Sequence, residues 1–189
     1  LAIMGYKTRT SIREKRMLEL PLVSIAEGSR VLPDDAGQLA RPLQALPDEQ
    51  RGYLLPRALQ TALSRFQVTD SVQFATEAVS SCCDTENDRL DSELSMVRYI
   101  TWAIPSIGFI GTVRGIGAAL GQAHEAMQGN IAGVTSSLGV AFNSTFIALL
   151  ISMVVMFFMH QLQLIQERLV LDSQFYCENN LLRFLKAAK

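Results

Sequence analysis

Two threonines, Thr112 and Thr145, stand near the middle of two stretches of chain almost free of charge, residues 99–121 and 134–159. A hydroxyl in an apolar setting donates and accepts hydrogen bonds but does not bind and release a proton at ordinary pH. Such a pair could hold water or a proton carrier without itself being one. Neither stretch contains Asp, Glu, Lys or His. Their one charged residue is Arg114, which stays protonated. His124 and His160 fall outside both stretches, and His124 reads as a solvated loop residue. Proton passage through this chain would therefore need a titrating group from another chain. Soluble enzyme chemistry has little to work with. There is no Gly-rich loop opening a helix after a strand, no His–Cys or Ser–His constellation, and no pair of carboxylates at catalytic spacing. Cys82, Cys83 and Cys177 lack zinc-ligand spacing and read as reduced thiols, packed or idle.

Helical projection at roughly 100° per residue puts Thr101, Pro105, Gly108, Thr112, Gly115 and Ala119 on one face, with Ile107 and Ile110 on the other. In the second stretch Ser137, Ala141, Thr145, Ala148 and Ser152 share a face, with Ile147, Leu150 and Val154 opposite. Each helix thus carries a small or polar stripe with a threonine at its centre. Two readings fit. Small residues four apart let helix backbones approach closely, so the stripes could serve packing alone. Alternatively they line a polar, uncharged interior surface.

The elements holding these stripes are expected to cross a membrane. The chain has 189 residues, 17 Lys+Arg against 18 Asp+Glu, and a formal net charge of -1, which gives no support to nucleic-acid binding. Charged residues make up 19%, low for a soluble domain, and mean hydropathy is +0.20. Residues 134–159 exceed the roughly 20 residues needed to span a hydrocarbon core. Residues 99–121 are interrupted by Pro105, by glycines and by Arg114, and beside the second span they read as the other arm of a hairpin. Residues 6–98 hold twelve Lys and Arg, the loop 122–133 none, and the tail four: Arg168, Arg183, Lys186 and Lys189. By the positive-inside rule, residues 6–98 and the tail are expected in the cytoplasm and the short loop outside. Residues 1–5, followed by Lys7, Arg9, Arg13, Lys15 and Arg16, have the basic cluster on the wrong side for a signal peptide. They read as the last turn of a membrane helix, or as an apolar end of a soluble segment.

Elsewhere the pattern is helical throughout, and the expected fold class is all-α. Residues 11–25 read as a helix bent at Pro21. Leu32-Pro33-Asp34-Asp35 and Leu46-Pro47-Asp48-Glu49 read as helix starts, with proline in the first turn and acids at the positive end of the dipole. Pro56 is expected to limit or kink the second. From Thr69-Asp70 one long helix is expected to enter the bilayer near Tyr99, and after Met159 a helix should continue to about Leu185. The expected divisions are residues 1–5, the end of a first membrane helix; 6–98, a cytoplasmic helical region; 99–160, the membrane hairpin; and 161–189, a cytoplasmic helix that packs between subunits.

Two segments resemble a known family. IPSIGFIGTVRGI, residues 104–116, is similar to the second membrane helix of the MotA/TolQ/ExbB proton channel family, whose TolQ and ExbB branch places a proline seven residues before the threonine of a Gly-Thr-Val-x-Gly-Ile run. Here those are Pro105 and Thr112. LGVAFNSTFIAL, residues 138–149, is similar to the third helix, with wording nearer the MotA-like branch. The close likeness covers about residues 99–160. It implies an integral membrane protein of the bacterial inner membrane that forms a pentamer around a single-span partner like ExbD, TolR or MotB. That partner's membrane aspartate would carry the proton, so that H+ flow does mechanical work, with no cofactor, metal or enzymatic activity. Thr112 and Thr145 carry over as pore-lining residues, and Pro105 as a helix-shaping one. Gly108, Gly115, Ala141, Ala148 and Ser152 share their stripes as supporting or packing positions. Arg114 stands where the TolQ and ExbB branch has Trp, and Asn143 lies nearly opposite Thr145. Both are expected at polar contacts between subunits, Arg114 otherwise snorkelling out of the lipid. A non-conducting helical scaffold and, more remotely, a secondary transporter are the alternatives.

Overall fold

The computed structural model describes residues 2–23, 25 and 30–186. Leu1, Ser24 and Lys189, which enter the readings above, lie outside the described residues. Among those described the fold is all-α: α1 (Ala2–Lys15), α2 (Pro33–Gln44), α3 (Asp48–Arg51), α4 (Leu54–Thr69), α5 (Val72–Gly121), α6 (Ala123–Met127) and α7 (Ala132–Asn180). Short 3-10 turns follow α1 (Arg16–Glu19) and α7 (Leu182–Phe184). The chain divides into two units. One is residues 93–161. The other is residues 2–92 together with 162–186.

In the larger unit α4 lays one face inward: Leu55, Ala58, Leu59, Ala62, Leu63 and Phe66, the spacing of a single helical stripe, are all buried. They share a core with Ala75, Val79 and Cys83 of α5, with Val170 and Cys177 of α7, and with Leu181 just after it. The tail helix thus packs part of its apolar surface within its own chain, while Leu171 and Phe175 stay exposed. Burial pushes the Cys83 thiol up to about 11 and raises Cys177 as well, so both behave as small apolar groups. Glu86 is buried and pairs with Arg57 at 2.5 Å. A single parallel bridge joins Val31 to Leu185: Val31 N–H donates to Phe184 O at 3.0 Å, and Lys186 N–H to Val31 O at 3.1 Å.

Three boundaries differ from expectation for local reasons. The first helix starts at Ala2 and gives way at Lys15 instead of spanning 11–25. Leu20 is extended (ψ 136°) because it precedes Pro21, whose ring disfavours helical geometry there. The Tyr176 hydroxyl then fastens this turn, accepting from Leu22 N–H and donating to Leu20 O, each at 3.1 Å. The helix expected from Pro47 ends after four residues at Arg51. Pro56 lies in the first turn of a new helix, where no N–H is needed, and so begins α4 instead of kinking its predecessor. The starts at Pro33 and Pro47 are as read, and at Pro33 the Asp35 carboxylate accepts the Leu32 N–H at 3.3 Å. The loop 122–133 contains the short helix α6, and the turn after it is closed by Gly129 at φ +92°, a conformation open to glycine at little cost.

The smaller unit is an antiparallel hairpin of α5 and α7 with the polarity of a water-soluble protein reversed. Its interior is small and hydroxylated: Thr101, Gly108, Ala119, Ala141 and Ser152 are buried. Its outside is large and apolar, with Trp102, Phe109, Ile110, Val113, Phe142, Phe146 and Met153 exposed. Both helices are long and apolar enough to cross a membrane, and only 17% of each apolar window is buried. The core helix of a soluble protein would be mostly covered. So large an apolar surface is stable only against lipid or another chain.

Candidate functional site

The two small stripes face each other along the hairpin. A Cβ added at Gly108 would lie 2.7 Å from Ala148 Cβ and 3.2 Å from Thr145 Cα. One at Gly111 would meet Ser144, and one at Gly115 would overlap Ala141. The glycines thus bring the backbones into contact, and that contact lets short side chains reach across. Gly117, one step off the seam, has open space around it.

At the centre of the seam the Thr112 and Thr145 hydroxyls hydrogen-bond each other. Thr145 Oγ1 also reaches Gly108 O at 2.8 Å, and Thr112 Oγ1 reaches Ala141 O at 3.3 Å. Each hydroxyl owns one proton, so the chain of bonds has two directions. Thr112 can donate to Thr145 while Thr145 donates to the Gly108 carbonyl. In the reverse order Thr145 donates to Thr112, and Thr112 to the Ala141 carbonyl. Both threonines are half-buried.

Nearer the chain's charged helices, Pro105 explains a second cross-link. With no N–H, Pro105 cannot bond the Thr101 carbonyl four residues back, so α5 carries an orphaned acceptor inside an apolar span. The buried Ser152 hydroxyl of α7 donates to that carbonyl at 3.1 Å. Thr101 turns its own hydroxyl back to Val97 O at 2.8 Å. Pro105 and Ser152, both read from sequence as supporting residues, are complementary halves of one contact.

The structure brings together Thr112, Thr145, Gly108, Gly115, Ala141, Ala148 and Ser152 on the seam, with Pro105 acting through Thr101. Arg114 and Asn143 lie outside it, both exposed and without a partner among the described residues. Two seam residues escaped the sequence reading. Ser144 follows Ala141 by three and donates to its carbonyl at 2.8 Å. Gln122 follows Ala119 by three, so the stripe continues one step past Gly121, and its Nε2 donates to Ser137 Oγ at 3.4 Å. Extending the face periodicity beyond the apolar window would have found it. No cluster of three or more His, Cys, Asp or Glu suited to a metal occurs among the described residues.

The chain matches the family model of the MotA/TolQ/ExbB proton channel family over residues 48–174. It belongs to that family. The match begins in α3 and runs to Gln174 of α7, so it takes in the helices flanking the hairpin as well as the close likeness at 99–160. No curated protein and no solved structure matches the chain. Membership makes this a membrane-spanning channel protein and not an enzyme. For a proton channel family, the hydroxyl pair between two apolar helices is the feature of this hairpin with relevant chemistry.

Proposed function

We propose that the chain is the stator-type subunit of an ion-driven membrane motor, and that Thr112 and Thr145 form its part of the proton pathway. The observation that carries the reading is the mutual hydroxyl pair at mid-seam, half-buried, in a hairpin interior with no titratable side chain. A carboxylic acid presented by a second chain would find an acceptor in whichever threonine heads the bond chain, and a carboxylate would find a donor when the terminal threonine turns its proton from the Gly108 or Ala141 carbonyl towards it. The pair therefore binds both protonation states of such a carboxyl without titrating. This assigns the proton-carrying carboxylate to a single-span partner of the ExbD, TolR or MotB kind. The threonines act as positioning residues, and the translocated ion is H+.

In this reading residues 99–160 form the membrane hairpin, with residues 6–98 and 161–189 on the cytoplasmic side of a bacterial inner membrane. Several copies, five by analogy with the family, enclose the partner's helix. The apolar outer faces of α5 and α7 meet lipid or neighbouring copies, and Arg114 and Asn143 meet polar groups there. Purified complex in liposomes should pass protons, and Thr145→Val should stop this without dispersing the assembly. Unchanged flux in Thr112→Val and Thr145→Val would reject the assignment.

A second reading has its own observation. Gly108, Gly111 and Gly115 fit so closely against Ala148, Ser144 and Ala141 that the seam serves helix association in any case. A scaffold built on that seam alone passes no protons with or without a partner, and the same flux measurement separates the two.

A further inference from the structure

Arg114 is a permanent cation within an apolar span, and its counter-charge is not in this chain. It is exposed and has no partner among the described residues. Ile107, Ile110 and Val113 around it are large, apolar and 66–72% exposed, the composition of a face that meets lipid and not that of a helix seam. No Asp or Glu occurs between Glu93 and Glu125, nor between Glu125 and Glu167. Neither span of this chain, nor of a second copy beside it, therefore presents a carboxylate at the depth of Arg114. Glu125 lies eleven residues on, in α6 beyond the end of the span, and makes no ion pair with Arg114. A carboxyl brought to Thr112 by a partner would be on the wrong side, because two residues turn the helix by about 200°. The anion that remains at the edge of an apolar span is the phosphate of a lipid.

The guanidinium is placed to reach it. Tyr99 and Trp102, both exposed, are amphipathic side chains of the kind that sit at a membrane interface. From Tyr99 to Gly121 α5 rises about 33 Å, close to the thickness of the hydrocarbon layer, which puts the opposite interface at the hairpin turn. Arg114 is seven residues short of Gly121, about 10 Å, and an extended arginine side chain covers most of that distance. The surface it crosses is bare. Gly117 and Gly121 each have open space where a side chain would stand.

We propose that Arg114 binds the phosphate of a phospholipid in the leaflet at the turn end of the hairpin, and so fixes the depth of α5 in the bilayer. The proposal rests on the membrane placement of the hairpin given above and not on the threonine pathway. The guanidinium fork matches phosphate oxygens with two parallel N–H donors, and the apolar surroundings that make the bare charge unfavourable strengthen the bond once formed.

The test is native mass spectrometry of the protein released from nanodiscs made of phosphatidylglycerol and phosphate-free galactosyl diacylglycerol in equal amounts, with melting temperatures as the check on folding. The wild-type protein should retain phosphatidylglycerol in preference. Arg114→Leu should retain one fewer per chain, its affinity for that lipid lower by about tenfold, the scale of one charge-assisted hydrogen bond. Arg114→Lys, a cation that also snorkels, should keep most of the binding. Gly117→Leu should lose it with Arg114 intact, since the added side chain has room within the protein but lies across the path to the interface. Equal retention by the wild type and Arg114→Leu would overturn the proposal, as would equal retention of the two lipids by the wild type. So would an equal loss of melting temperature in Glu125→Gln and Arg114→Leu with lipid retention unchanged, which would assign the counter-charge to a neighbouring copy. A protein that stays in solution without detergent or lipid would instead reject the membrane placement on which the proposal rests.

Discussion

Replacing Ser152 by Ala should cost far more with Pro105 in place than without it. The Thr101 carbonyl has no intrahelical N–H to accept, because residue 105 is proline, and its cross-helix bond comes from the Ser152 hydroxyl at 3.1 Å. Losing an ordinary interhelical hydrogen bond in a membrane protein costs about 0.6 kcal/mol, since the freed groups find other partners. Here the buried carbonyl is left with none, so the cost should approach the penalty for an unsatisfied buried acceptor, about 1–3 kcal/mol. In a Pro105→Ala background the alanine N–H supplies the missing helical bond, and Ser152→Ala should cost only about 0.6 kcal/mol again. The cycle therefore predicts a coupling of roughly 1 kcal/mol or more between two residues that exchange no direct hydrogen bond. The chain's single tryptophan, Trp102, adjoins the affected carbonyl, so its fluorescence during titration with SDS reports the unfolding of this part of α5. Isotope-edited infrared spectroscopy of a 13C-labelled Thr101 carbonyl gives an independent readout. Its amide I band should move to higher wavenumber in Ser152→Ala and return in the double variant. Equal costs in both backgrounds would refute the argument that proline creates the orphan and serine satisfies it.

Gly108→Ala should destabilise the hairpin by about 1 kcal/mol net, since overpacking of about 1–3 kcal/mol outweighs the gain of about 1 in helix propensity. Adding Ala148→Gly should recover part of the loss, because Ala148 Cβ stands nearest the new methyl group; detergent unfolding of the two variants decides it. Burial raises the pKa of Glu14, an effect opposed by the Leu54 N–H it accepts at the start of α4 and reinforced by Glu86. A folded pKa above the unfolded one means that the folded state holds the proton more tightly. Stability should therefore fall as pH rises from the ordinary carboxylate range through the raised value, and flatten above it. Glu14→Gln, which keeps the accepting oxygen, should remove that slope from melting temperatures measured across the range.

The hairpin was largely legible because its information is local and periodic. One helical face gave Gly108, Thr112 and Gly115, another gave Ala141, Thr145 and Ala148, and their small size left little choice about what could touch. The helix starts at Pro33 and Pro47 were legible for the same reason, since proline and first-turn acids act within a few residues. What escaped was set by distant partners or by truncation of the pattern. Nothing near Leu20 foretells that Tyr176 will anchor the turn after α1. The tail's place in the α4 core depends on Val170, Cys177 and Leu181 meeting helices some hundred residues earlier. Pro105 reads locally as a kink, and its pairing with Ser152 becomes visible only when the two helices are brought together. Gln122 was passed over because the apolar window ended at Gly121, although the face it shares continues.

The most direct test of the central claim is proton flux into liposomes containing this chain alone, the chain with its single-span partner, and that complex carrying Thr112→Val and Thr145→Val. The proposed pathway predicts flux only in the wild-type complex, with the chain alone silent because its spans hold no proton carrier. Equal flux from the chain alone, or undiminished flux in the double-valine complex, would contradict it.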